Sequence, residues 1–166
     1  DRIKTIFIQV LHPIGHSLFP RMSQKYNLSK LKANKSFTKV ILFYLILSIM
    51  IFLFANFFIE QIISFFSDSY VSKLENLLRI LLFSFVLNGL SEQFITQYFI
   101  PNNMFEFLNN IQLKKTFISF IILIPLISSF GINGAALANL LSESIMLGFL
   151  IKHFINTKNN APNIQT

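Results

Sequence analysis

No cysteine occurs in the 166 residues. Its absence excludes a disulfide framework, thiolate metal sites, iron–sulfur clusters and cysteine nucleophiles. Charge is scarce as well: Asp, Glu, Lys and Arg make up 13% of the chain, where an ordinary globular domain carries roughly 25%. Half the usual charge must then solvate a chain with 21 Phe and 53% hydrophobic residues, and so much exposed apolar surface does not suit water. With a mean hydropathy of +0.59, lipid is the expected solvent. Three catalytic signatures are also missing: the phosphate loop G-x-x-x-x-G-K-[ST], the G-x-S-x-G elbow and H-E-x-x-H. Neither ATP hydrolysis nor a nucleophile with its base is expected, so the chain is read as a non-enzyme with no cofactor. Asp1 leads straight into an apolar run with no basic leader before it and no small-residue cleavage site after it, so no signal peptide is visible and the sequence reads as a fragment.

What the chain does have is long apolar runs. A bilayer core of about 30 Å needs roughly 20 apolar residues in a helix, and Val40 to Ile59 supplies one, uncharged, with only Ser48 and Asn56 as polar exceptions. The runs around 78–100 and 132–153 follow, then a shorter one at 115–130 that contains Pro125, then a more polar one at 5–20 bracketed by Lys4 and Arg21. The expected fold is all-α, a polytopic transmembrane bundle of five spans over residues 1–155. The segment 156–166, with Asn159, Asn160 and Pro162, is expected to be a disordered tail.

Five spans put the termini on opposite sides, and the bases sort accordingly. Arg21 to Lys39, Pro101 to Lys115 and the segment from Lys152 hold Arg21, Lys25, Lys30, Lys32, Lys35, Lys39, Lys114, Lys115, Lys152 and Lys158, ten of the fourteen. On the other side Arg2, Lys4, Lys73 and Arg79 are balanced by Asp1, Glu60, Asp68 and Glu75. By the positive-inside bias the C-terminus is cytoplasmic. The net charge of +7 is thereby an orientation signal and an attraction to membrane lipid headgroups, with no nucleic-acid partner implied. Arg21 to Lys39 is expected to be a solvated basic loop or an interfacial helix.

Polar groups inside a span are costly, by roughly 2.5 to 3.5 kcal/mol for a charge on insertion scales, and turn toward the bundle interior or a wet cavity. In the first span His12 and His16 are four apart and share a helix face; they either line a cavity or bond a neighbouring helix, and no third ligand stands at metal spacing. Ser84, Asn88, Ser91 and Glu92 recur at helical spacing with Gln93 and Thr96 at the margins, a stripe that lines a passage or joins an interhelical network. Asn88-Gly89 permits a local helix break of the kind transporters use. Arg79 lies at the outer boundary of this span, either snorkelling to headgroups or facing the lumen. In the last span Gly134, Ala138 and Ser142 stand four apart and allow close helix approach. Glu143 beside them either accepts a bond from a neighbour or couples to an ion, as Glu92 also can.

Three stretches resemble the second half of a polysaccharide or O-antigen flippase of the Wzx type, in the multidrug/oligosaccharidyl-lipid/polysaccharide exporter superfamily: His16-Ser17-Leu18-Phe19-Pro20-Arg21-Met22-Ser23, the basic Lys114-Lys115-Thr116, and Phe130-Gly131-Ile132-Asn133-Gly134-Ala135-Ala136-Leu137-Ala138. Their order and spacing agree with that family over nearly the whole chain. The resemblance implies that the five spans are the eighth to twelfth helices of a twelve-helix, two-lobed transporter in the bacterial inner membrane. It would flip a polyprenyl-diphosphate-linked oligosaccharide by alternating access, driven by an ion or proton gradient, alongside other membrane proteins of glycan assembly. His16 and Arg79 would then be candidates for a basic lumen. The competing readings are a drug/ion antiporter of the same superfamily, a membrane-embedded glycan-assembly enzyme such as an O-antigen polymerase, and a purely structural membrane subunit. The polymerase is disfavoured because the outer segments are short, at most about 20 residues.

Overall fold

A single glycine turns the C-terminal third of the chain back on itself. In the computed structural model, which describes residues 17–66 and 71–160, the long helical stretch Phe105–Asn160 is interrupted at Gly131, with φ 58° and ψ −131°. That conformation is open to glycine and strained for any side chain. The two limbs, 105–130 and 132–160, then run antiparallel, because their contacts nest about the glycine: Phe107 with His153, Lys115 with Glu143, Ser119 with Ser142, and Gly134 against the backbone of Leu126. A straight helix would hold Lys115 and Glu143 about 42 Å apart.

Among the described residues four helices precede this hairpin: α1 over 17–28, α2 Lys30–Phe57, α3 Ile59–Phe66 and α4 Val71–Phe94. A π-helical turn, Ile95–Phe99, ends α4, and the hairpin Phe105–Asn160 is α5. Among the described residues there is no strand. Three helices among the described residues are long and apolar enough to cross a membrane: Lys30–Phe57, Glu75–Phe99 and Phe105–Lys158. The third contains the separate runs expected at 115–130 and 132–153, divided at Gly131.

Several expectations need correction. The basic stretch 21–39 is not a loop: apart from Ser29 it is helical, because Met22, Tyr26, Ala33 and Phe37 are buried in one cluster and packing overrides its polar composition. Ser29 alone is extended, with φ −163° and ψ 113°. The helix does not break at Asn88-Gly89; it runs through both and loosens into the π-turn further on. Residues 156–160 continue α5 as helix, with Thr157 Oγ1 donating to the His153 carbonyl at 2.9 Å. His12 and His16, with most of the span expected at 5–20, lie outside the described residues.

The helices converge on an aromatic cluster at one end. Phe37 of α2 meets Phe94 at 5.2 Å and Phe154 at 5.1 Å between ring centroids, Tyr98 meets Phe154 at 4.9 Å, and Tyr26 of α1 meets Tyr98 at 5.9 Å. Most of these pairs are edge-to-face, the arrangement the ring quadrupole favours. Burial, with Tyr98 close by, raises the Tyr26 hydroxyl above the ordinary phenol range. Most of the ten sorted bases flank this cluster on α1, the start of α2 and the end of α5. At the opposite end Arg79 donates to Glu75 at 2.6 Å and to Asn56 Oδ1 at 3.2 Å, tying α4 to α2.

Candidate functional site

The contacts just described fix how deep each polar side chain lies. Phe37 with Phe94 at the basic end and Asn56 with Arg79 at the other set α2 antiparallel to α4, and between them Tyr44 lies over Gly89. A Cβ at Gly89 would stand 2.5 Å from the Tyr44 hydroxyl, so only glycine lets that ring approach. Asn88 is ten residues before Tyr98, about 15 Å along the helix, and Glu143 is eleven before Phe154, about 16 Å. Lys115, eight residues after Phe107, is about 12 Å in. Tyr44, Asn88, Glu92, Lys115 and Glu143 therefore lie at similar depths partway along the bundle, a polar belt in depth only, within a hydrocarbon thickness of about 30 Å.

The stripe on α4 divides into two chemical groups. Ser84 donates to the Ile80 carbonyl at 3.0 Å, Ser91 to Leu87 at 3.1 Å and Thr96 to Glu92 at 2.8 Å. These hydroxyls satisfy themselves on their own helix, the usual behaviour of Ser and Thr in helices, and all three are buried. Asn88 and Glu92 differ. Asn88 is exposed and Glu92 half-buried, and among the described residues neither makes a side-chain hydrogen bond or ion pair. Tyr44 is the titratable neighbour within electrostatic reach of Glu92. Beside this pair, Gln93 is buried with its amide oxygen unpartnered among the described residues. Helix periodicity could find the stripe; it could not separate the self-satisfied members from the open ones.

Inside the hairpin two polar pairs bond across the limbs, while Thr116, Ser128, Ser142 and Ser144 donate to carbonyls of their own limb. Lys115 Nζ donates to Glu143 Oε1 at 2.7 Å, with the side chains 17% and 8% exposed. Ser119 Oγ lies 2.7 Å from Ser142 Oγ, which donates to the Ala138 carbonyl at 2.7 Å. Gly134, Ala138 and Ser142 are buried, and a Cβ on Gly134 would overlap the Leu126 carbonyl. Glu143 Oε2 has no partner among the described residues. Lys115, counted in the sequence as one more base of a loop, is instead the counter-ion of a buried carboxylate; no local signal marks that pairing, which depends on the register of the fold-back.

Arg79 sits apart from the belt, held by Glu75 at the far end of α4 with its side chain 46% exposed. Among the described residues no group of three or more His, Cys, Asp or Glu could hold a metal ion. Set beside known proteins, the chain matches no family model, no curated protein and no solved structure.

Proposed function

We propose that this chain forms part of a membrane transporter that moves a polyprenyl-diphosphate-linked oligosaccharide across the bacterial inner membrane, as the Wzx-type flippases it resembles do. In this reading five spans, two of them the limbs of α5, make half of a two-lobed bundle with the C-terminus on the cytoplasmic side. The observation that carries the proposal is the open pair on α4: an amide at Asn88 and a carboxylate at Glu92, partway along an apolar helix, with no side-chain hydrogen bond or ion pair among the described residues. Hydrocarbon against that pair costs several kcal/mol, so water or polar cargo belongs there. Transporter sites near the midplane have this character. The clustering of bases at the aromatic end supports the orientation, and Tyr44 joins the passage-lining residues through its place over Gly89. Arg79, already neutralised by Glu75, is assigned to the outer rim.

The test is translocation. Reconstituted with its complete protein, wild type should carry a fluorescent polyprenyl-diphosphate glycan across vesicles without covalent change, and Glu92→Gln should lower that rate at equal membrane level. Uptake of a cationic dye with no glycan movement would favour the drug/ion antiporter of the same superfamily.

A further inference from the structure

We propose that the outward face at the start of α2, together with Lys25 of α1, is a binding site for one anionic phospholipid. Along α2, Ala33, Phe37 and Tyr44 are buried against the rest of the bundle. Lys32, Lys35 and Lys39 lie on the opposite face and are exposed, and their spacing of three and four residues keeps them together on it. A fourth ammonium joins them from another helix. Lys25 Nζ donates to Ser36 Oγ at 2.9 Å, and Ser36 stands one turn from both Lys32 and Lys39. The Tyr26 hydroxyl, donating to Asn34 Oδ1 at 3.0 Å, and the burial of Met22 and Tyr26 in the aromatic cluster hold α1 in place for this contact.

Four like charges on one face repel one another, and among the described residues none of the four makes an ion pair. Arg79 and Lys115 each have a carboxylate. Lys25 is bonded instead to a neutral hydroxyl, and Glu106, the described acid at this end of the bundle, pairs with none of the four. The face lacks an anion, and the rest of the stripe says which kind. Phe43, Ile46 and Met50 carry the same face onward and are 59%, 51% and 63% exposed. A soluble phosphate, a nucleic acid or an acidic peptide would leave that apolar stretch uncovered. A phospholipid covers both parts, with its phosphate on the ammonium groups and its acyl chains along the stripe. The depth agrees: from Lys39 to Phe57 α2 runs about 27 Å, close to the roughly 30 Å of a hydrocarbon core, so Lys35 and Lys39 stand at headgroup level when α2 spans a membrane. Net charge draws acidic headgroups to the whole basic surface; the four lysines and Ser36 give one of them a fixed place.

The test counts bound lipid. The complete protein in detergent is titrated with phosphatidylglycerol or with phosphatidylcholine, and retained lipid is read by native mass spectrometry. One phosphatidylglycerol should bind in preference to phosphatidylcholine. Lys32→Gln, Lys35→Gln and Lys39→Gln together should weaken it about tenfold or more, whereas Lys114→Gln, Lys152→Gln and Lys158→Gln, which remove the same charge from exposed positions on α5, should weaken it less than about twofold. If the first triple variant does not fold, Lys25→Gln decides: it should still weaken binding, and unchanged binding overturns the proposal. Equal losses in the two triple variants would leave only diffuse attraction to charge and overturn it as well. So would phosphatidylcholine bound as tightly as phosphatidylglycerol, or displacement of the lipid by inorganic phosphate at matched concentration, which would mark a site for a free anion. Glycan translocation has no part in this readout, so the site stands or falls apart from the transport reading.

Discussion

The α5 hairpin and the α2–α4 pair solve the same problem, polar side chains within apolar helices, in different ways. In the hairpin two pairs reach across: Lys115 to Glu143 and Ser119 to Ser142 join two limbs whose backbones touch at Gly134 and Leu126, although Thr116, Ser128 and Ser144 bond their own limb. Along α4 and its π-turn they reach back, hydroxyl to the carbonyl four residues earlier, leaving Asn88 and Glu92 open. A region whose polar groups bond between helices is built to hold together. One whose polar groups are self-contained or unpartnered adds little to holding its neighbours and leaves chemistry available to something that comes and goes. On this view the hairpin is scaffold, held by an ion pair inside it, and the proposed passage lies along α4.

Substitutions can break that contrast, and the largest effect is expected at the hairpin's crossing point. Gly134→Leu puts a side chain into the Leu126 backbone, which cannot yield as a side-chain tip can; folded protein recovered by size exclusion in detergent should fall to background. Lys115→Met comes next. It leaves Glu143 buried without its counter-ion, a change that costs about 3–5 kcal/mol when the charge is retained; the melting temperature should drop clearly, and the double variant Lys115→Met with Glu143→Leu should recover most of the loss, since two apolar groups replace a buried pair at little cost. Gly131→Ala should be milder. Its φ of 58° with ψ −131° strains an L side chain by about 1–3 kcal/mol, with open space around the position, so thermal unfolding should shift without loss of yield. Ser91→Ala on α4 is the smallest, because the hydroxyl bonds only its own helix; a stability change within about 0.5 kcal/mol is expected. A large loss at Ser91 would mean that α4 is scaffold too.

How much of this was legible in the sequence depended on distance along the chain. Apolar length found α2 and α4, and Gly131-Ile132-Asn133-Gly134 marked the fold-back because glycine before small residues is a local signal. The helical character of 21–39 was only half legible: its lysines and asparagines left a solvated loop or an interfacial helix open, and burial of Tyr26, Ala33 and Phe37 against a distant part of the chain makes it helix. The π-turn at Ile95–Phe99 had no signature either, since apolar period alone does not separate five-residue from four-residue hydrogen bonding. At the site, spacing put Asn88 and Glu92 on one stripe with Ser84 and Ser91, and Gly134 with Ala138 and Ser142. Tyr44 was missed because a lone tyrosine in an apolar run looks like core, and its role depends on the missing side chain of Gly89 on another helix. The Lys115–Glu143 pair was missed for the same reason, being 28 residues apart.

The central claim is that the open face of α4 meets water while the hairpin interior does not. With no cysteine in the chain, single cysteines can be placed at Asn88, at Ser142 within the hairpin and at Ile124, which is 72% exposed on α5, and treated in membranes with a charged, water-soluble methanethiosulfonate. Asn88→Cys should react, and Ser142→Cys and Ile124→Cys should stay unlabelled. Reaction at Ser142→Cys, or protection of Asn88→Cys from the charged reagent while a lipophilic maleimide modifies it, would contradict the account.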